Sequence, residues 1–325
     1  MGILRKSLSR VIRTFFSARW TRIIRDPVLL PGYYKSFACE IEPMRDSMQK
    51  RHDSEPEYWA AMLRKCVHIL DKGLQRPDFE PGHSKQWYEA ASVALDELGN
   101  RHNSDPSVAW AKEKIAEYER RQINPVPPKS IETKYVSEED CNTLIRMIQG
   151  RRSVRNYANR PVEIDKLKII IEAVNWSPTS CNRQPAKVFI ATEAELVKQC
   201  AKTCAGATCF SGDSACFISF CADMRVYNLP EEFLLPNLDI GLGIQNCLLV
   251  AHALGISMTL LSWAQHTHED DKNLRTLLGI PAHYRIVVNA LMGYPSEFPA
   301  SPARKSLEAT LKFISDSEFK ERGAS

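Results

Sequence analysis

The stretch Arg151-Arg152-Ser153-Val154-Arg155, followed by Ser177-Pro178-Thr179-Ser180-Cys181-Asn182-Arg183-Gln184-Pro185, decides which fold this sequence predicts. The first segment packs three guanidiniums and a hydroxyl into five residues. Because a guanidinium offers a planar fork of donors that matches phosphate oxygens, this segment predicts a phosphate site. The second segment supplies short hydroxyls and a pair of amides that can bind the edge of a planar polar ring. Together they predict a site for a phosphorylated flavin.

Two later segments extend the pattern. Asp239-Ile240-Gly241-Leu242-Gly243-Ile244-Gln245-Asn246 opens an apolar run that continues to Gly255. Met292-Gly293-Tyr294-Pro295 is followed by Arg304-Lys305, a second pair of bases. The four segments in this order resemble the nitroreductase family of FMN enzymes, and the resemblance runs from about Ser137 to Phe313.

The resemblance implies an α+β sandwich, a homodimer with shared flavin sites, and roles for named residues. Arg151, Ser153 and Arg304 would hold the phosphate, and Arg155 would reach the pyrimidine edge. Backbone near Leu260, Leu261 and Ser262 would approach N5, the hydride-accepting atom, and no side chain is assigned as acid or base. The expected cofactor-binding set is Arg151, Arg152, Ser153, Arg155, Ser177, Pro178, Asn182, Gln184, Leu261, Gly293, Arg304 and Lys305, with Asn182 and Gln184 coming from the partner chain.

Two of these segments also have a structural explanation. The arginines at 151, 152 and 155 can form the basic last turn of a helix from Glu138 to Gln149, where cations meet the carbonyl end of the dipole. Gly241-Leu242-Gly243 resembles part of a dinucleotide fingerprint, but Asn246 stands where the last glycine belongs. These glycines are therefore expected to allow close helix packing.

The family resemblance implies an FMN-dependent oxidoreductase that uses NADH or NADPH to reduce a small organic substrate, such as a nitroaromatic, a quinone, or an unsaturated or halogenated compound. The protein supplies binding and orientation while the flavin carries the hydride. The segment from Asp223 to Pro236 is expected to select the substrate. The alternative interpretation of this segment is an ordinary surface connection. The alternative function is a non-catalytic flavin-fold protein for binding or assembly at a membrane surface, in polysaccharide biosynthesis.

The positive charge of the chain is concentrated at its beginning. The net charge is +4, and residues 1–30 carry seven bases and one acid, which leaves −2 for the rest. In residues 1–25, apolar residues recur mostly at helical spacing, with the bases largely on the other side. Three interpretations stay open: an interfacial helix on an anionic membrane, a segment docked on the chain's own helices, or a mitochondrial targeting segment. Nucleic acid is not predicted as a partner.

The chain has ten cysteines, and the clustered ones from Cys200 to Cys221 are expected to be packing residues. No C-x-x-C pair occurs in the chain, so the spacing predicts no metal site. Cys200 and Cys204 fit one helix face, and Cys216 and Cys221 fit a buried strand, where free cysteine behaves as a small hydrophobe. Without a secretory signal, a reducing cytoplasm is the expected location, with peripheral membrane contact through residues 1–25. No apolar run is expected to reach the roughly 18 residues that span a bilayer.

The chain divides into an N-terminal helical region (1–123), a proline-rich linker (124–136) and the FMN domain (137–325). The spacing of apolar residues predicts helices at 57–74, 85–98, 107–122, 138–149, 165–176, 193–205, 239–254 and 271–278. Short apolar runs predict strands at 187–191, 215–221, 257–261 and 285–292. Arg64, His68 and Lys72 share one helix face, which predicts either an anion site or a solvated charged face. This helical region resembles that of nitroreductase-like proteins from polysaccharide gene clusters.

Overall fold

The computed structural model describes residues 55–99, 104–125, 135–207, 215–227, 229–264 and 266–315. The basic arm and most of the proline-rich linker lie outside these residues, so the domain boundaries stay a prediction. The described parts confirm the predicted α+β fold with a helical region ahead of it.

The described part of the helical region contains three helices, α1 (Pro56–Leu74), α2 (Lys85–Gly99) and α3 (Pro106–Ile123). Proline starts α1 and α3 in the first turn, where its missing N–H needs no partner. Apolar residues three and four apart face two neighbouring apolar clusters: Leu63 and Val67 are fully buried in one, and Leu70 is fully buried in the other. Because each helix is polar on its other side, the three helices pack together around these clusters.

The second part begins at α4 (Glu138–Gly150), which starts with a capping box. The Ser137 hydroxyl accepts from the Asp140 N–H, and the Asp140 carboxylate accepts from the Ser137 N–H. These bonds satisfy donors that a helix start otherwise leaves free. None of the residues of α4 is buried in the described chain, although several of them are apolar.

The sheet has four antiparallel strands in the order β1 (Ala186–Ala191), β2 (Cys216–Asp223), β4 (Tyr284–Gly293) and β3 (Ser257–Leu261). All eight residues of the central strand β2 are buried, so both faces of the sheet are covered. Alternate side chains enter two cores. Ile218 and Ala290 belong to one core, and Phe217 and Leu291 belong to the other.

Helices cover each face of the sheet. On one side lie α5 (Ile164–Glu172), a 3-10 turn at Ala173–Trp176, and the long helix α7 (Leu235–Ala253). On the other side lie α6 (Ala194–Lys202) and α8 (His268–Leu278). Gly243 of α7 lies against Val174, where an added methyl would come within 2.4 Å of its side chain, while Gly241 faces open space. Close helix packing is therefore confirmed for Gly243 alone.

Among the described residues, one helical stretch, Glu231–Ala253, is long and apolar enough to cross a bilayer by length and composition. The expectation concerned an uninterrupted apolar run, whereas this stretch contains Asn237, Asp239 and Gln245 and qualifies only on its mean hydropathy. Its residues Ile240, Ile244 and Cys247 pack in the core against the sheet. We therefore describe α7 as the central helix of the fold and not as a membrane span.

Candidate functional site

The arginine cluster, which consists of Arg151, Arg152 and Arg304, lies where α4 ends. Arg151 caps the helix, and its N–H donates to the Met147 carbonyl at 3.1 Å. Burial lowers the pKa of the Arg151 guanidinium below its usual range, and the charges of Arg152 and Arg304 lower it further. These like charges come from opposite ends of the domain sequence, so the fold itself gathers them. In the described part of the chain, none of the three forms an ion pair with a carboxylate.

His252 adds a fourth basic group that the sequence interpretation missed. It lies in the last turn of α7, and its pKa is lowered by burial and by the charges of Arg151 and Arg152. Its Nε2 lies 3.0 Å from the position that a Cβ at Gly150 would occupy, so the glycine permits this approach. Nothing local to His252 in the sequence indicates a basic neighbour 100 residues earlier, so its place beside the arginines could not be predicted.

Hydrogen bonds to the sheet fix the segment that follows the cluster. The Thr259 hydroxyl of β3 donates to the Val154 carbonyl at 2.7 Å, and the Tyr157 hydroxyl donates to the Leu291 carbonyl of β4 at 3.0 Å. The Ala158 N–H donates to the Tyr294 carbonyl at 2.8 Å. These bonds place the first motif beside β3 and the end of β4. The first and fourth predicted motifs therefore meet in one chain.

The expected cofactor residues differ in exposure. Gly293 is buried beneath Tyr157, whose ring lies 3.0 Å from the position of an added Cβ, so this glycine has a packing reason that does not involve a ligand. Leu261 is also buried. The half-buried members are Arg151, Arg152, Ser153, Ser177 and Asn182, and the exposed ones are Arg155, Pro178, Gln184, Leu260, Ser262, Arg304 and Lys305.

The second motif, residues 177–185, has an unusual backbone. Cys181, Asn182 and Gln184 have φ values of 52°, 54° and 53°, in the left-handed region that non-glycine residues rarely adopt. Such residues cost about 1–3 kcal/mol each and persist only where surrounding contacts determine them. Ordered strain of this kind concentrates at binding sites, so the geometry marks this segment as a functional candidate.

Buried charges hold the second motif. The carboxylate of Asp239, in α7, accepts from the N–H and hydroxyl of Ser180 at 2.9 and 2.8 Å, and from the Tyr227 hydroxyl at 2.9 Å. The Arg183 side chain is 2% exposed and forms an ion pair with Glu232. Burial raises the pKa of the Tyr227 hydroxyl, and the Asp239 charge raises it further, so this phenol stays a donor.

The two motifs lie far apart within one chain. Asp239, which binds Ser180, and His252, beside Arg151, are thirteen residues apart on α7. At about 1.5 Å per residue this separation is about 20 Å along the helix. The amides of the second motif and the arginine cluster of the same chain are therefore at opposite ends of α7.

The described cysteines are free, and the clustered ones are buried as predicted. Burial raises the pKa of the Cys200 thiol to about 12 and that of the Cys204 and Cys216 thiols to about 11. Thiols with such pKa values are protonated and poor ligands near neutral pH. In the described segments, no three side chains of His, Cys, Asp or Glu form a metal-binding group. The absence of metal stays a prediction for metal analysis.

Comparison with known proteins places this domain. The family model described as "Nitroreductase family" matches residues 148–209 and 209–294. The C-terminal part of the chain is a nitroreductase-family domain. A protein of Archaeoglobus fulgidus named for NADH dehydrogenase and NAD(P)H nitroreductase is 28% identical over 159 residues, 49% of this chain and 87% of the relative. The FMN reductase [NAD(P)H] of Bacillus subtilis is 26% identical over 183 residues, 52% of this chain and 72% of the relative.

A solved structure, nitroreductase A from Vibrio parahaemolyticus, is 22% identical to this chain. It matches 56% of this chain and 81% of its own length, with a TM-score of 0.46. The family model begins at residue 148, so it leaves the helical region of this chain unmatched.

Within the nitroreductase-family domain, the segment expected to select the substrate is partly fixed. Met224, Arg225 and Tyr227 are buried. Burial would lower the pKa of the Arg225 guanidinium, but its hydrogen bonds to Asp223 and Glu55 outweigh burial and raise it. The interpretation as an ordinary surface connection is wrong for residues 223–227, because ion pairs hold them inside the protein. Leu229 and Leu234, further along, are exposed.

The structure separates the charged triplet on α1, and anion binding by this face stays a prediction. Arg64 points at the nitroreductase-family domain, and its Nε and Nη2 donate to the Arg183 carbonyl at 3.3 and 3.1 Å. His68 is half-buried and Lys72 is exposed. The shared helix face predicted from spacing is therefore divided between a contact with the second motif and the surface, and it does not form one solvated face.

Proposed function

We propose that the protein is an FMN-dependent oxidoreductase that takes electrons from NAD(P)H and passes them to a small organic molecule. The observation that carries this proposal is the gathering of Arg151, Arg152 and Arg304 beside His252 in a nitroreductase-family domain. Burial and mutual repulsion lower the pKa of Arg151, which indicates a site with excess positive charge. A phosphate group bound there would relieve the repulsion and accept several charge-assisted hydrogen bonds.

The residues present fit FMN. Arg151, Arg304 and the Ser153 hydroxyl are donors suited to phosphate, with Arg152 and Lys305 close in sequence to them. Arg155 would lie at the pyrimidine edge, where a positive charge favours the reduced ring. Bound FMN would supply hydride transfer, which no side chain of the protein can perform. The chain's own contribution is to bind and orient the ring, and the backbone from Leu260 to Ser262 would face N5.

We propose that the working unit is a homodimer with shared flavin sites. The second motif lies about 20 Å along α7 from the arginine cluster of its own chain, which supports a partner chain as the source of Asn182 and Gln184. Apolar surface supports the same assembly, since Leu144, Ile145 and Ile148 of α4 are 53%, 44% and 50% exposed. Exposed apolar patches of this kind mark protein interfaces.

The substrate is proposed only as a class: a nitroaromatic, a quinone, or an unsaturated or halogenated compound. Relatives named NAD(P)H nitroreductase and FMN reductase support reduction of small acceptors. The exposed part of the segment after Tyr227, with Leu229 and Leu234, remains the proposed substrate-selecting surface. NADH and NADPH are both retained as donors, and the cytoplasmic location and membrane contact through residues 1–25 stay predictions.

The absorption spectrum of the purified protein tests this proposal. We expect bands at about 370 and 450 nm that bleach when NADH or NADPH is added without oxygen, because the bound flavin accepts the hydride. The alternative of a non-catalytic binding or assembly protein predicts no NAD(P)H oxidation. A colourless protein that cannot be loaded with FMN would contradict our proposal.

A further inference from the structure

The helical region contacts the second motif directly. The segment Thr179–Pro185 carries three residues in the left-handed region, so its shape depends on contacts that hold it. Its first half is held by the nitroreductase-family domain, where Ser180 donates twice to Asp239. Its end is held by β2, where the Asp223 N–H donates to the Pro185 carbonyl at 2.8 Å. Arg183 lies between these two contacts, and it is the residue of this segment that the helical region binds.

Arg183 lies between two left-handed residues, Asn182 and Gln184. Its side chain is paired with Glu232, and its carbonyl accepts two hydrogen bonds from the guanidinium of Arg64 in α1. Since the Arg64 guanidinium donates two hydrogen bonds to this carbonyl oxygen, it restrains the peptide that joins Arg183 to Gln184. The orientation of both neighbouring amide side chains depends on this peptide.

Arg64 is itself held in position. Its Nη1 lies 3.4 Å from the Ser107 hydroxyl at the start of α3. Burial lowers the pKa of Arg64, whereas the charges of Asp105 and Asp223 raise it. One of these carboxylates belongs to the helical region and the other to the end of β2. Arg64 is therefore fixed by both parts of the chain, as a rigid contact between them would be.

We propose that Arg64 is a positioning residue through which the helical region holds Asn182 and Gln184 in the geometry that binds the flavin ring of the partner chain. This inference rests on the proposed function, because it presupposes an FMN site completed by the second motif. It assigns a role in flavin binding to the helical region, which the family model does not cover. The position of the ring, and not that of the phosphate, should depend on Arg64.

The test compares Arg64→Ala, Arg64→Lys and Arg121→Ala in the full-length protein. Arg121 is a matched control, because it is a buried arginine of α3 whose guanidinium also donates to a backbone carbonyl, that of Leu74. That contact lies wholly within the helical region. Dissociation constants for FMN and for riboflavin are measured by fluorescence titration, together with KM and kcat for NAD(P)H oxidation.

We expect Arg64→Ala to weaken FMN and riboflavin binding alike, by roughly 5- to 20-fold, because the lost contact acts on the ring and both ligands carry the same ring. Arg64→Lys keeps the charge and one donor and should restore part of the affinity. Arg121→Ala should lower the stability of the helical region and leave both dissociation constants within about twofold of wild type. Unchanged flavin binding in a folded Arg64→Ala protein, or an equal loss in Arg121→Ala, would overturn the proposal.

Hydrogen exchange separates failure of this inference from failure of the proposed function. The amides of residues 181–184 should exchange faster in Arg64→Ala than in Arg121→Ala, with or without flavin, because Arg64 contacts this segment and Arg121 does not. If the wild-type protein binds no flavin, the proposed function fails, and the positioning role for a flavin fails with it, whatever the exchange rates are. Equal exchange rates in the two variants of a flavin-binding protein would overturn the positioning role alone.

Discussion

Two groups of arginines in this protein have opposite surroundings. Arg183 and Arg225 are nearly fully buried, and each is paired with carboxylates, Glu232 for the first and Asp223 with Glu55 for the second. Arg151, Arg152 and Arg304 are more exposed and lie near one another without a carboxylate partner among the described residues. Buried and paired arginines hold a structure together, whereas repelling arginines attract an anion that the chain does not supply. Whether an arginine is paired with a carboxylate therefore indicates its role, which the presence of an arginine alone does not.

The largest expected effect concerns the paired group. Arg183→Ala leaves the Glu232 carboxylate buried without its cation, so it should lower the free energy of unfolding by about 3–5 kcal/mol. Urea unfolding followed by circular dichroism measures this change. Combining Arg183→Met with Glu232→Gln removes both charges and should recover much of the loss, since no uncompensated charge remains. Arg76→Ala, which breaks an exposed pair with Asp78, should leave the midpoint unchanged.

The next effect concerns the repelling group. Arg151→Ala or Arg304→Ala should weaken FMN binding by about 1.5–3 kcal/mol, the usual contribution of a hydrogen bond to a charged group. Riboflavin affinity should barely change, because riboflavin carries no phosphate. Parallel titrations with the two ligands measure the difference, and equal losses for both would place these arginines away from the phosphate.

A smaller effect concerns His252. Its pKa is lowered in the free protein by burial and by the charges of Arg151 and Arg152, so it is mostly neutral near pH 7. A bound phosphate would raise this pKa, and FMN binding would then take up a proton. Affinity should therefore rise as the pH falls between about pH 8 and 5.5, relative to His252→Gln measured in parallel. The comparison removes the titration of the phosphate, which both proteins experience equally. Identical pH profiles would exclude His252 from the phosphate site.

The smallest effect tests the repulsion itself. Without FMN, Arg304→Gln removes a like charge from the cluster and should raise the urea midpoint slightly, because exposed charges interact weakly. With saturating FMN the same substitution should lower the midpoint, since a phosphate contact is lost. Thermal or urea unfolding in both states measures this change of sign. A lower midpoint in both states would mean that Arg304 is a structural residue like Arg183.

Most helices and strands could be predicted from the sequence, because their signals are local. The predicted helix from Glu57 to Leu74 differs from α1 by one residue at its start, and the strand Ser257–Leu261 was predicted with both ends correct. The start of α7 was predicted four residues late, since Pro236 was treated as a boundary although proline is accepted in a first turn. The start of α8 was also predicted late, because its cap is Thr267 and the acidic residues after it belong to the helix.

The partners of the charged residues could not be predicted. Arg64 and Arg183 are 119 positions apart, and the spacing on α1 indicates a helix face but not what lies against it. The fixed part of the segment after β2 was missed for the same reason, since Glu55, which binds Arg225, precedes it by 170 positions. The four motifs indicate the family because the residues of each motif are adjacent in the sequence and can be recognised together. A contact between residues that are far apart in the chain produces no recognisable pattern in a single sequence.

The contact between α1 and the second motif also limits how this gene can change. A recombination that exchanged the helical region for another would remove Glu55 and Arg64 together, leaving Arg225 and the Arg183 carbonyl without those partners. A replacement region would therefore need its own carboxylate for Arg225 and its own donor for the Arg183 carbonyl. Residues 55–64 of this chain meet both needs, although more than a hundred codons separate them from either partner.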